Sequence, residues 1–235
     1  MRTCIITGTG AGIGREVAVQ LSRNKQFDCI AMLGRSKEAL EETKRQMDSV
    51  GVDISIWMID FQKPEDIPAI VEAIYEKYGS IDCLLNIAGY TDPQPLLQTT
   101  LENMEITYKV NVFSPFLLIK ETVRYMKKTG GKILNVASTA GMTPRPGWLS
   151  YSSSKASVIS MSQTLTEELQ EYGIRVYCVS PGRCATKLRK RLAPNEDPST
   201  IMQPDEVAEV ICNLIGDNEY CLDGQNIVIR KQISR

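Results

Sequence analysis

The chain has 235 residues, 43% of them hydrophobic, and a formal net charge of −1. That suits one α/β domain over residues 1–235 with a substantial core, and a near-neutral chain without a long basic stripe is a poor match for nucleic acid. No histidine is present, which excludes Ser-His-Asp hydrolases, His-Glu-x-x-His metalloproteases and histidine-bearing zinc deaminases, so acid–base chemistry falls to Tyr, Lys, Asp, Glu or Cys.

The first element, Thr3-Cys4-Ile5-Ile6, reads as a short buried strand. It runs into Thr7-Gly8-Thr9-Gly10-Ala11-Gly12-Ile13-Gly14 and then into the helical pattern of Val17, Val19 and Leu21. Strand, glycine loop and helix make a dinucleotide-binding start, because glycines let backbone N–H groups approach a pyrophosphate that the positive end of the helix then holds. The spacing is Thr-Gly-x-x-x-Gly-x-Gly, with Ile13 where the commoner Gly-x-Gly-x-x-Gly form has its third glycine.

Further strands are expected near 28–34, 53–60, 81–87, 131–138, 174–180 and 226–230, the first covering 2–7. Helices are expected over 12–24, 36–50, 64–78, 101–128, 151–172 and 204–216, with Pro64 and Pro204 near helix starts, where proline is tolerated. Strands alternating with helices imply a doubly wound, seven-stranded parallel sheet with helices on both faces, a Rossmann fold. The seven cysteines include no Cys-x-x-Cys pair and read as reduced core residues, so no metal site is expected. No apolar run approaches the ~20 residues of a membrane span, and strand one leaves no room for a leader, so the expectation is a soluble, cytoplasmic protein.

Two residues late in the chain carry the chemistry. Tyr151 and Lys155 stand four apart in Tyr-Ser-Ser-Ser-Lys, with Ser138 thirteen residues upstream. On a helix, i and i+4 share a face, so the Lys155 ammonium is expected to favour the ionised Tyr151 phenol and make it a usable proton donor and acceptor.

Together with Asp60 after the third strand, Asn86-Ile87-Ala88-Gly89 after the fourth, Asn111 within a helix and Pro181-Gly182 with Thr186 after the sixth, these motifs resemble the short-chain dehydrogenase/reductase family over nearly the whole chain. Ile87 departs from the second asparagine of many members. The likeness is to NADP-preferring members of the 3-oxoacyl-[acyl-carrier-protein] reductase kind. It implies that Gly8, Gly10, Gly12, Ile13 and Gly14 hold the pyrophosphate, that Asp60 and Phe61 flank the adenine, and that Asn86, Ala88 and Gly89 line the ribose region. Pro181, Gly182 and Thr186 would meet the nicotinamide. It also implies that Lys155 binds the nicotinamide ribose and that Asn111 holds a proton-relaying water.

At the end of strand two, Gly34 stands where NAD-preferring relatives carry an acid, while Arg35 and Ser36 offer donors to a 2′-phosphate. The expected cofactor is therefore NADPH. The expected reaction interconverts a ketone and a secondary alcohol, with Tyr151 as acid and base and Ser138 holding the oxygen. Residues 183–204 are the expected substrate lid, and Arg183, Lys187, Arg189, Lys190 and Arg191 make it basic. An anionic substrate would follow: a 3-oxoacyl thioester on an acidic carrier protein, or a sugar or polyol phosphate. The carboxy-terminal Asp223-Gly224-Gln225 lacks the Asp-Gly-Gly that usually closes carrier-protein reductases. A dinucleotide-binding sensor or structural subunit is the non-enzymatic alternative, against which the complete Asn111, Ser138, Tyr151 and Lys155 set argues. Apolar residues on more than one face of helices 101–128 and 151–172 suggest a homodimer or homotetramer.

Overall fold

Thr3–Thr7 is buried at every position, as a strand covered on both faces must be. In the computed structural model, which describes residues 1–232, this strand (β1) lies near the middle of a seven-stranded sheet. The others are β2 (Cys29–Gly34), β3 (Asp53–Met58), β4 (Cys83–Asn86), β5 (Gly131–Val136), β6 (Ile174–Pro181) and β7 (Asn226–Ile229). The order is β3-β2-β1-β4-β5-β6-β7, with all pairs parallel. The chain winds outward from β1 to β3, returns to the other side of β1 at β4, and winds outward again. The reversal leaves a crevice beyond the carboxyl ends of β1 and β4, where ligands of such sheets bind.

Alternate residues of β1 serve two cores. Cys4 and Ile6 pack with α1 (Gly12–Asn24), α2 (Lys37–Gln46) and α8 (Pro204–Leu214) through Val17, Leu21, Leu40 and Val207. Ile5 packs on the other face with α3 (Ile67–Tyr78), α5 (Ser114–Met126) and α6 (Leu149–Leu169) through Val71, Leu118 and Leu169. Six of the seven cysteines are buried and Cys221 is exposed. Among the described residues, no helix is long and apolar enough to cross a membrane.

Two expected helices change for local reasons, and one unexpected helix appears. The helix expected over 36–50 ends at Gln46, because the Asp48 N–H donates to Ser22 Oγ (3.0 Å) and the Val50 N–H to Asp48 Oδ1 (2.9 Å), satisfying the backbone without a further turn. The helix expected over 101–128 is α4 (Leu101–Tyr108), a π turn over Lys109–Phe113, and α5. Pro115 has no N–H to give the Asn111 carbonyl four residues back, and the Ser114 N–H instead reaches Lys109 O, five back. Inside the lid, Lys187–Leu192 forms α7, which periodicity did not reveal because it is six residues long.

Candidate active site

The carboxyl ends of β1, β2, β4, β5 and β6 open into a cleft of about 560 Å³, within the usual size of small-molecule sites. Its first wall is the glycine loop. Gly8, Gly10, Gly12, Ile13 and Gly14 all line it. Ala11 stands at the start of α1 with no side-chain cap, and the first turn holds no acid, so the helix presents its N–H groups to the cleft. Gly14 has no room for a side chain: a Cβ there would lie 2.4 Å from Gly8 O. Arg15 braces the loop, its guanidinium donating to Gly10 O (2.7 Å) and its Nε to Thr43 Oγ1 (3.1 Å), while Thr43 donates to Thr9 O (2.7 Å). Thr7 Oγ1 accepts from the N–H groups of Ile87 (2.9 Å) and Ala88 (3.0 Å), joining the ends of β1 and β4 at the crevice. Motif reading did not assign these three roles, because their partners lie 5 to 81 residues away.

Arg35, Ser36, Asp60 and Phe61 line the same end of the cleft. Arg35 is exposed and makes no hydrogen bond or ion pair among the described residues. Ser36 caps α2, accepting from the Ala39 N–H at 3.3 Å, and Asp60 Oδ1 accepts from the Gln62 N–H at 3.0 Å. Ala88 and Gly89 line the middle, and Pro181, Gly182 and Thr186 the far wall. Asn86, at the end of β4, is buried behind the cleft lining, its Nδ2 donating to Asn135 Oδ1 (2.9 Å), whose own Nδ2 donates to Ser162 Oγ (2.9 Å).

Ser138 follows β5 directly and caps the turn Thr139–Gly141, its Oγ accepting from the Ala140 N–H at 3.2 Å. Tyr151, on the first turns of α6, lines the cleft with it, its ring set edge-on to Trp148 at 5.7 Å between centroids. Burial raises the Tyr151 pKa, opposed by the Ser138 hydroxyl and the Arg145 charge. The expectation gave that opposing effect to Lys155. The buried ammonium is instead turned over the ring face, 5.8 Å from its centroid, where it donates to Val136 O at 2.7 Å. An apolar surrounding that demands an acceptor redirects the side chain, and the same burial lowers the Lys155 pKa from 10.5 to about 8.

Asn111 sits in the π turn, buried and away from the cleft lining. Its Oδ1 accepts from the Tyr90 N–H (2.8 Å), and its Nδ2 donates to Tyr90 O and Ser154 Oγ (both 2.9 Å). Its amide clamps the segment after β4 to α6, where a water-holding role was expected. A Cβ on Gly89 would lie 3.6 Å from both Asn111 Oδ1 and Lys155 Nζ, so glycine keeps the space between these two groups open.

Three of the lid arginines have protein partners. Glu196 accepts from Arg183 (3.0 Å) and from both Nε (2.6 Å) and a terminal nitrogen (2.8 Å) of Arg189, and Arg191 donates to Thr91 O (3.1 Å). Arg189 first, then Arg183, holds the Glu196 carboxyl below its ordinary pKa. Three of the five expected lid cations therefore serve the lid itself.

The family model for short chain dehydrogenases matches residues 2–197. The chain belongs to this family. Among curated short-chain dehydrogenases, it is 31% identical to the 3-oxoacyl-[acyl-carrier-protein] reductase FabG of Thermotoga maritima, over 97% of this chain and 96% of that one. It is 30% identical to 17-beta-hydroxysteroid dehydrogenase 13 of Rattus norvegicus, over 93% of this chain and 73% of that one. Among solved structures, NAD⁺-bound xylitol dehydrogenase matches at TM-score 0.88 and 26% identity, covering 97% of both chains. An actinorhodin polyketide ketoreductase with NADPH matches at TM-score 0.88 and 25% identity, covering 97% of this chain and 95% of the other. The enzyme is thus a short-chain oxidoreductase built on the Rossmann sheet.

Proposed function

We propose that the protein reduces a ketone to a secondary alcohol, reversibly, with NADPH, and that Tyr151 is its acid and base. The observation that carries this reading is the meeting of Ser138, Tyr151 and Lys155 at one end of a cleft whose other end is the uncapped glycine loop with Arg35. The residues present fit a dinucleotide: the loop closes tightly because Gly8 and Gly14 have no Cβ to strike Ala88 and Gly8 O, leaving its N–H groups on the cleft, and Gly89 puts no Cβ beside Lys155. The glycine loop would hold the pyrophosphate, Arg35 and Ser36 the 2′-phosphate, Asp60 and Phe61 the adenine, and Ala88, Gly89 and Lys155 the nicotinamide ribose. Pro181, Gly182 and Thr186 would flank the nicotinamide.

When bound, a reduced nicotinamide supplies the hydride. The Tyr151 phenol, whose pKa burial raises, gives its proton to the carbonyl oxygen, and Ser138 Oγ holds that oxygen in place. Lys155 brings a cation close to the developing tyrosinate. Asn111 and Asn86 act as positioning residues, the first on Tyr90 and α6, the second on the ends of β4 and β5. The name of the Thermotoga relative supports a 3-oxoacyl thioester as substrate. Loss of NADPH absorbance against a 3-oxoacyl thioester, a ketose phosphate, a diketone and a steroid ketone tests the reading. Turnover of none, with NADPH bound, would remove it.

The nucleotide preference rests on Arg35, since the two structural relatives above carry different nucleotides. Arg35→Ala should raise the Kd for NADPH roughly 10- to 100-fold, the scale of a charge-assisted contact, and leave NADH nearly unaffected. Equal losses for both in a fluorescence titration would contradict the assignment.

A homodimer or homotetramer is the proposed assembly. Leu97 is 99% exposed, and Leu96, Leu101, Phe113 and Phe116 are also exposed on or before α4 and α5, apolar side chains that a second copy of the chain would cover. Light scattering should report a mass of two or four chains, and a single-chain mass would refute it.

A further inference from the structure

We propose that Arg145 recognises an anionic oxygen group, a carboxylate or a phosphate, carried by the substrate itself a few bonds from the reacting carbonyl. The inference rests on the reductase reading above and favours an anionic keto substrate over the 3-oxoacyl thioester, which carries no anion near its ketone.

Arg145 lies in the turn between Ser138 and α6, between Pro144 and Pro146, and the Trp148 N–H closes the turn on Arg145 O at 3.0 Å. Two prolines restrict the backbone on both sides, so the guanidinium is presented from a stiff support. It reaches into the cleft that Ser138, Trp148 and Tyr151 line. Its protein partner is weak for an arginine: one terminal nitrogen donates to Thr139 Oγ1 at 3.3 Å, and the buried Nε has no partner. Among the described residues, none of the ion pairs includes Arg145. A buried donor left unpaired costs free energy, which a purely bracing arginine would have no reason to retain. The planar fork matches an incoming oxyanion.

The surrounding charges agree. Among the described residues, Asp60 is the one carboxylate lining the cleft, and it follows β3. Arg145 stands beside the end of β5, four strand spacings away, or about 19 Å. Arg35 follows β2, three spacings or about 14 Å from β5, so a 2′-phosphate held there leaves Arg145 uncompensated. The lid arginines are held by Glu196 and Thr91. Among the described residues, Arg145 is therefore the arginine at the reacting end without a carboxylate partner, Lys187 being another unpaired cation of the lining, and the Arg145 charge acts on Tyr151.

Calorimetric titration of the NADP⁺-saturated enzyme tests this with two pairs of probes: 3-hydroxybutanoate against its methyl ester, and glycerol 3-phosphate against glycerol. At least one acid should bind roughly 10- to 100-fold tighter than its neutral partner. That preference should vanish in Arg145→Met and weaken in Arg145→Lys, which keeps the charge without the fork, while both variants still bind NADPH. Which pair shows the preference distinguishes a carboxylate from a phosphate. No preference in either pair, or an undiminished one in Arg145→Met, would overturn the inference. Preference for an acid without NADPH consumption on the matching ketone would keep the anion subsite and remove the reductase reading.

Discussion

Tyr151→Phe should lower kcat by roughly three orders of magnitude while NADPH binding stays close to that of the unaltered enzyme. A positioned general acid contributes about 10²- to 10⁴-fold, and the substitution removes the proton donor alone. The phenyl ring keeps its edge contact with Trp148, so the fold at the start of α6 has no reason to change. Steady-state rates with NADPH, paired with a fluorescence titration of the nucleotide, separate the two effects. A kcat within tenfold of the original would mean that another group delivers the proton. Since burial raises the phenol pKa, the donor form is the dominant one through neutral pH.

Lys155→Met should cost at least 10²-fold in kcat/KM, by removing the cation beside the phenol, yet make the nucleotide-free protein more stable at pH 7. Burial holds the Lys155 pKa at about 8, against 10.5 for an exposed lysine, a difference of 2.5 units or about 3 kcal/mol. Below pH 8 both folded and unfolded chains carry the proton, and the whole burial penalty stands. Between about 8 and 10.5 the unfolded chain keeps a proton that the folded one has released, so stability rises with pH across that window. Loss of the bond to Val136 O removes about 1 kcal/mol, leaving the methionine variant ahead by about 2 kcal/mol at neutral pH. Urea unfolding at pH 7 and pH 10 checks both statements. A stability rise that persists in the variant would assign the titration to another group.

Asn86 and Arg145 mark where sequence reading of the site stops. The spacing of Asn86 among its neighbours placed it at a strand end, and it is at one. Its side chain turns to Asn135, 49 residues on, where the Nδ2 donates to Asn135 Oδ1 across the β4–β5 pair. Arg145 stood in the sequence as part of a proline-rich turn. Its importance comes from what is missing around it, a carboxylate partner, and only a three-dimensional neighbourhood can show an absence. The lid shows the reverse. Its cations were visible in sequence, but Glu196, seven residues past Arg189 and across the short helix, pairs with two of them.

Short-range rules made most of the fold legible in the order of the amino acids. The buried strand runs, the helices between them, the glycine loop that only residues without side chains can close, and the Tyr151–Lys155 pair one helical turn apart all follow from periods of two and 3.6 residues and from steric limits on the backbone. The family resemblance rests on the same local signals in their order. The tertiary structure decided where the charges point. Lys155 turned to Val136 O, Arg183 and Arg189 to Glu196, and Asn111 to Tyr90, because a polar group removed from water takes the nearest partner that packing brings within about 3 Å, wherever that partner lies along the chain.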